Sequence, residues 1–271
     1  MKIYYSNIAA IKTDLLPSIG VLVSYYGLKK LRRPDFCDSL FLDSGAFSAW
    51  NQGVEIDIDS YIEFIKEQKE RADIYCVLDN ILSGEESFLN YTRMLDKGLS
   101  PVPCYHYGEP SSLLKRYIEI SDYVALGGIA KKGKKERIVW LDRIFSIYPF
   151  PLVKFHGFGI QDRSILLRYP WWSVDSSSAH VMARFGGICT PWGDYKINPE
   201  VNSKDLRWIS PNAEKIIIEW VSELGFSYDE AQANSPEGTI IRSAINVIYY
   251  EELSKLAPRK FSFGKKRFGF V

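Results

Sequence analysis

Six points along the chain place a chemically capable group at the end of a short apolar run. Asp43 closes LFLD (40–43), Asp79 closes IYCVLD (74–79), and His106 lies in PVPCYHYG (101–108). Gly127 and Gly128 lie in YVALGGIA (123–130), His156 and Gly157 in LVKFHGFG (152–159), and Asp175 closes WSVD (172–175). A single aspartate in such a place is most often a helix cap or turn residue. Three in register read differently, because neighbouring buried carboxylates repel when all are ionised and a purely structural rim has little use for them. They suit a division of roles into an ionised nucleophile, a proton donor or acceptor, and a hydrogen-bond reader. Two carboxylates flanking an anomeric carbon can exchange a glycosidic bond: one attacks C1′ or stabilises its cationic character, the other protonates the departing group. The glycines would let backbone approach a flat ligand without a Cβ in the way, although tight packing or a positive φ explains each one equally well.

The elements that must position these groups follow from the spacing. Eight apolar runs recur at intervals of roughly 20–35 residues, the beat of strands each followed by a crossover helix. They are 20–26, 40–43, 74–79, 101–108, 123–130, 152–159, 172–175 and 187–191. Most are apolar on successive residues, as in strands of a parallel sheet covered on both faces. Helical periodicity fills 59–71, 84–97, 111–120 and 134–148, where Ile138, Leu141, Ile144, Phe145 and Tyr148 share one side, and two further helical segments cover 214–224 and about 238–256. Strand and helix alternating eight times predict a (β/α)8 barrel, with an open doubly wound sheet as the competing architecture. In a barrel the strands' carboxyl ends build the site, which is where the six points fall. With no repeat and no linker rich in Gly, Pro or Ser, the expectation is one domain over 1–271, its strand-helix core at about 20–257 and a basic tail at 258–271.

Of the 271 residues 46% are hydrophobic and 25% charged, which excludes a disordered chain. No run reaches the length of a membrane span and MKIYYSNIAAIKTD lacks the pattern of a secretory signal, so a cytoplasmic protein without membrane contact is expected. The four cysteines form no CxxC pair, so reduced thiols are expected, a thiolate nucleophile being the minor alternative. Neither they nor the three histidines compose a zinc site, and no metal or other cofactor is expected. Net charge is only +1, yet basic residues cluster at GLKKLRRP (27–34), KKGKKER (131–137) and PRKFSFGKKRFGFV (258–271). Such clusters are usually solvated loops, but three together, interleaved with Phe, make a nucleic-acid partner worth testing. Candidate phosphate contacts are Lys131, Lys132, Lys134, Lys135, Arg137, Lys265, Lys266 and Arg267. Candidate stacking residues near strand ends are Tyr105, Tyr107, Trp171, Trp172 and Trp192, and Ser176, Ser177 and Ser178 suit either phosphate binding or helix capping.

LDSGAFS (42–48), VLD (77–79), LGGIA (126–130), FHGFGI (155–160) and SVDSSS (173–178), in this order, resemble the tRNA-guanine transglycosylase superfamily. The likeness is greatest to its shorter phage and bacterial members, which insert 7-deazaguanines into DNA. It covers residues 42–178. The resemblance implies that Asp175 is the nucleophile toward C1′ and that Asp43 is the general acid/base, protonating guanine as it leaves and taking a proton from the incoming base. It implies that Asp79 reads the guanine edge, that Gly127 and Gly128 present backbone to the same heterocycle, and that Phe47 walls the pocket. Gly157 joins the base-binding set.

The chain departs from the tRNA enzymes in three places. CYHYGEP (104–110) stands where they carry a glutamine-glycine-glycine element, so His106 or Tyr107 is expected to substitute. DSGAFS replaces DSGGFQ, and the cysteine-histidine zinc subdomain is missing. The resemblance therefore implies exchange of guanine for a free 7-deazaguanine such as 7-cyano-7-deazaguanine, with DNA expected ahead of tRNA, through a covalent aspartyl-sugar intermediate. A paired base must first leave the stack, or the substrate be single-stranded. A tRNA substrate, a non-catalytic nucleic-acid-binding subunit, a nucleoside or glycoside hydrolase on the same fold, and a homodimer or accessory partner stay open.

Overall fold

Eight short strands built from Val, Leu, Ile, Phe and Tyr assemble into one parallel sheet in the computed structural model, which describes residues 1–8, 14–68, 70–201 and 207–261. The strands are β1 (Lys2–Tyr5), β2 (Ile19–Ser24), β3 (Cys37–Asp43), β4 (Ile74–Tyr75), β5 (Cys104–His106), β6 (Tyr123–Gly127), β7 (Lys154–Gly157) and β8 (Ser173–Ser176). Their order is β4-β3-β2-β1-β8-β7-β6-β5, so each strand lies beside its neighbour in sequence and β1 sits beside β8. The sheet is therefore curled. Its two edge strands meet at a single parallel bridge, Cys76 to Val102, where Val77 donates to the Val102 carbonyl at 2.9 Å and Val102 to the Tyr75 carbonyl at 2.8 Å. No longer ladder joins these edges among the described residues, so the architecture is barrel-like without being closed by a full strand pairing.

The helices α1 (Ala46–Asn51), α2 (Ile58–Gln68), α3 (Gly84–Asp96), α4 (Ser111–Ile120), α5 (Lys134–Ile147), α6 (Arg163–Leu166) and α7 (Ser178–Arg184) follow strands β3 to β8. Of these, α2 to α5 lie close to the expected spans, while α1, α6 and α7 are short helices where none was expected. In α5 the buried residues are Leu141, Ile144 and Phe145, three of the five whose spacing marked the face toward the sheet. Alternation is not eightfold, however: no helix joins β1 to β2 or β2 to β3 among the described residues.

Two strand expectations are corrected. The run 187–191 is β9 (Gly187–Thr190), which leaves the barrel and pairs antiparallel with β10 (Gly193–Lys196), itself beside β11 (Arg207–Trp208), in a separate three-stranded sheet. The eighth barrel strand is instead β1, far upstream of the expected start of the core near residue 20. At four residues, KIYY is too short to show a period, and only its pairing on both sides reveals it.

The helices α8 (Pro211–Glu223), α9 (Tyr228–Gln232) and α10 (Pro236–Lys255) complete the chain. Ile188, Ile197, Ile217, Val221, Tyr228, Ala231 and Ile245 form a small second core between these helices and β9–β10, beside the main core around the eight-stranded sheet. Buried polar side chains tie the two together. Asn246 on α10 accepts from the Cys189 N–H at 2.6 Å and donates to the carbonyls of Ala179 at 2.9 Å and Gly187 at 3.3 Å. The wholly buried Arg242 donates to the carbonyls of Ala183, Ala231 and Ala233 and to Thr239 Oγ1. No helix among the described residues is long and apolar enough to cross a membrane.

Candidate active site

Parallel strands carry their carboxyl ends to one rim, and the sequence-selected residues fall there. Asp43 ends β3, Asp79 follows β4, His106 ends β5, Gly127 ends β6, Gly157 ends β7 and Asp175 lies near the end of β8. Asp79 and Asp175 both raise the proton affinity of Asp43 through space, so the three carboxylates share one mouth. Burial is the largest cause, repulsion by Asp79 and then Asp175 adds to it, and the backbone N–H groups of Gly45 and Ser44 pull the other way. The net effect lifts the Asp43 carboxyl to about 7. A carboxyl at that value can deliver and recover a proton near neutral pH.

Asp175 is held differently. Its Oδ1 accepts the Gly159 N–H at 2.7 Å and faces His156 Nε2 at 3.6 Å, which leaves Oδ2 as the oxygen without a protein donor in this set. Gly159 adopts φ +65°, a turn conformation that aims its N–H at the carboxylate.

Asp79 and His106 form the third part. Asp79 Oδ1 accepts from Ser44 Oγ at 3.1 Å, and Oδ2 lies 3.0 Å from His106 Nε2. On the other side of the ring, Nδ1 stands 3.4 Å from Glu109 Oε1, poorly aligned for a hydrogen bond, while Glu109 Oε2 accepts the His106 backbone N–H at 2.7 Å. Burial works against the imidazolium, but the groups around it, Cys104, Asp79 and Glu109, outweigh it, so His106 is raised well above the ordinary histidine value. The two carboxylates account for this direction, because burial pushes the Cys104 thiol up to about 11 and keeps it uncharged at neutral pH.

Gly127 and Gly128 fit around this histidine. A Cβ on Gly127 would stand 2.9 Å from His106 Cδ2, and one on Gly128, whose φ is +74°, would stand 3.0 Å from the Tyr107 nitrogen. Gly157 is explained by packing: its Cβ would strike Ile160 at 2.6 Å and the Trp171 ring at 2.9 Å. Phe47 is 48% exposed beside the 43% exposed Trp50, with Lys131 Nζ 5.4 Å from the Phe47 ring centre. Together with Asp79 and Leu82, Trp50 and Val54 line a cavity of about 410 Å³. A larger cavity of about 990 Å³, lined by Lys2, Asp38, Ile74 and Trp172, lies at the strands' amino ends, away from these carboxylates.

The basic candidates separate. Lys132 Nζ lies 4.7 Å from the Tyr107 ring centre and Lys131 beside Phe47, both after β6. Lys134 pairs with Asp162 at 3.0 Å, Lys135 is exposed beside the groove between α4 and α5, and Arg137 is half-buried. Lys265, Lys266 and Arg267 lie outside the described residues.

Of the expected stacking residues only Tyr107 stands on this rim. Tyr105 is buried against Trp140, Trp171 is core, Trp172 precedes β8 at the amino end, and Trp192 packs on Trp220 near the second sheet. Closeness to a strand end in sequence does not say which end. Ser176 Oγ accepts the Ser178 N–H at 3.1 Å, at the start of α7.

Sequence reasoning passed over Ser44, Glu109, Gly159, Ser173 and Tyr123, as well as one combination of ligand atoms. Asp79, Cys104 and His106 bring one oxygen, one sulfur and one nitrogen within 4.8 Å of one another, a set that could hold a metal ion. With a proton on Nε2 the same contacts make an ion pair. The available signal was the C-x-H spacing of CYH, since residues two apart on a strand share a face. The buried cysteines offer no thiolate nucleophile: burial lifts Cys189 to about 12 and raises Cys37 and Cys76 as well.

This is an α/β protein of a curled eight-stranded parallel sheet with a carboxylate-rich rim. No protein-family model matches the chain and no curated protein matches it.

Proposed function

We propose that this protein is a nucleic-acid guanine transglycosylase on a single-domain (β/α)8 barrel without a zinc subdomain, exchanging guanine for a 7-deazaguanine, with DNA favoured over tRNA. The observation that carries the reading is the unequal treatment of two carboxylates in one mouth. Asp43 is lifted to about 7, while Asp175 receives a backbone N–H on one oxygen. That is the division of labour glycosidic exchange requires.

In the reaction Asp175 Oδ2 attacks C1′ of the target nucleoside. The C1′–N bond breaks with its electron pair going to guanine, which takes the proton of Asp43, and the sugar remains esterified to Asp175. Guanine leaves and the incoming 7-deazaguanine occupies its place. Asp43, now ionised, accepts the proton of the incoming ring nitrogen as that nitrogen attacks C1′ and releases the Asp175 carboxylate. Asp79, held by His106 Nε2, accepts from the base's N–H groups, His106 or Tyr107 stands in the place a glutamine fills in the tRNA enzymes, and the Gly127–Gly128 backbone lies along the base's edge. Phe47 covers one face, and Lys131 and Lys132 meet phosphate. Free base and nucleic acid are then the only partners the chemistry requires, at a site reached by single-stranded or extruded nucleotide.

The test is release of labelled guanine from single-stranded DNA, duplex DNA and tRNA, each with and without 7-cyano-7-deazaguanine. Exchange into DNA only when the free base is supplied is expected. Continued release beyond one guanine per protein without any supplied base would make the protein a hydrolase, and exchange confined to tRNA would reverse the substrate preference.

A further inference from the structure

His156 is wholly buried, yet its Nε2 has no hydrogen-bond partner and points at Asp175 Oδ1 from 3.6 Å. A buried, unpaired ring nitrogen costs stability, and purely structural histidines satisfy both nitrogens. The other nitrogen is well paired: Nδ1 lies 2.7 Å from Ser173 Oγ, which in turn lies 2.6 Å from the Tyr123 hydroxyl. The strand register builds this line of atoms, since His156 on β7 pairs directly with Ser173 on β8, and Tyr123 opens the neighbouring β6. Edge contacts fix the ring between Phe41 at 4.8 Å and Phe158 at 4.7 Å, with Tyr4 at 6.1 Å.

We infer that Tyr123, Ser173 and His156 form a one-directional donor chain that presents an Nε2–H to Asp175, making His156 the positioning residue of the nucleophile. Tyr123 has no stronger use for its hydrogen than Ser173, and burial pushes its phenol upward, so the hydrogen stays in place. With Tyr123 donating to Ser173 Oγ, the serine hydrogen is free to point at Nδ1, and an imidazole carrying one proton must then carry it on Nε2. That hydrogen and the Gly159 N–H converge on Oδ1, leaving Oδ2 to attack. The 3.6 Å gap shortens to a hydrogen bond when substrate seats the carboxylate, as unliganded sites commonly tighten. The inference rests on the assignment of Asp175 as nucleophile.

A double-mutant cycle separates this from a packing role. Glutamine places an N–H near the ε position and has no tautomers, so Ser173→Ala is expected to lower kcat about tenfold in the His156 protein and to cause no further loss in His156→Gln, with KM for the nucleic acid unchanged in both. His156→Phe, which keeps the ring and loses the donor, is expected to lower kcat about 10²-fold. Nitrogen-15 shifts of the three histidines, assigned with His156→Gln, should show the His156 proton on Nε2 alone in the parent protein and on both nitrogens by turns in Ser173→Ala. Equal losses from Ser173→Ala in both backgrounds, or a His156 proton on Nδ1, would overturn the relay. A parent protein that exchanges no guanine would instead remove the proposed reaction, and the nitrogen shifts would still decide the relay.

Discussion

Asp43 is where pH acts on this site. Its folded value of about 7, against 3.8 for an unperturbed aspartate, means that the folded protein binds this proton more tightly than the unfolded chain. The stability attached to it is complete below the unfolded value and is lost as pH rises through about 7, because an ionised Asp43 must then share the mouth with Asp79 and Asp175. Asp43→Asn is therefore expected to stabilise the protein at pH 8 relative to the parent and to change little at pH 4, checked by denaturant unfolding at both. The same variant should lose roughly 10²–10⁴-fold in exchange rate, since it can neither give nor take the proton. A stability gain equal at both pH values would mean that Asp43 is not strained by its neighbours. The carboxylates were legible in the sequence because each ends an apolar run. Glu109, Ser173 and Tyr123 were not, because a partner is defined by distance in the fold and no spacing encodes 2.6 Å between residues 123 and 173.

Among the elements, short apolar runs identified seven of the eight barrel strands, six of them also by the polar or glycine residues near their ends, and the 3–4 spacing located the longer helices. The exchange of β9 for β1 shows where that reading stops. GICT and KIYY are both four-residue apolar or aromatic strings, and only pairing partners decide which sheet takes each. What ties β9 outside the barrel is α10, through Asn246 on the Cys189 N–H and the Gly187 carbonyl, while Arg242 fastens α10 to α7 and α9. Asn246→Ala leaves the Cys189 N–H and two carbonyls without this partner and is expected to cost roughly 1–3 kcal/mol. Arg242→Ala also empties the space of a fully buried side chain, and roughly 3–5 kcal/mol is expected, read as a lower midpoint in urea unfolding. Exchange activity measured on the folded fraction should be retained, because neither residue lies on the carboxylate rim.

For the whole molecule, a net charge of +1 concealed an uneven surface. Lys131 and Lys132 stand on the rim that holds the carboxylates, over Phe47 and Tyr107, whereas Lys134 is spent on Asp162. Replacing Lys131 and Lys132 by Ala should reduce the slope of log K against log salt for single-stranded DNA by about 1 per lysine, whereas Lys134→Ala should change it less. An unchanged slope in the first pair would place the nucleic acid elsewhere. The expected α/β class was legible from alternating periods. So was the barrel-like curl of the sheet, whereas the strand that closes beside β8 was not, because only pairing in the fold decides it.

The proposed exchange depends above all on a covalent bond between Asp175 and a sugar. Intact-protein mass spectrometry after acid quenching, with a guanine-containing single-stranded oligonucleotide and no incoming base, reads that bond directly. A species heavier by the oligonucleotide less guanine is expected in the parent protein, absent in Asp175→Asn and discharged when 7-cyano-7-deazaguanine is added. An adduct that persists in Asp175→Asn, or steady exchange by the parent protein with no adduct at any time point, would contradict it.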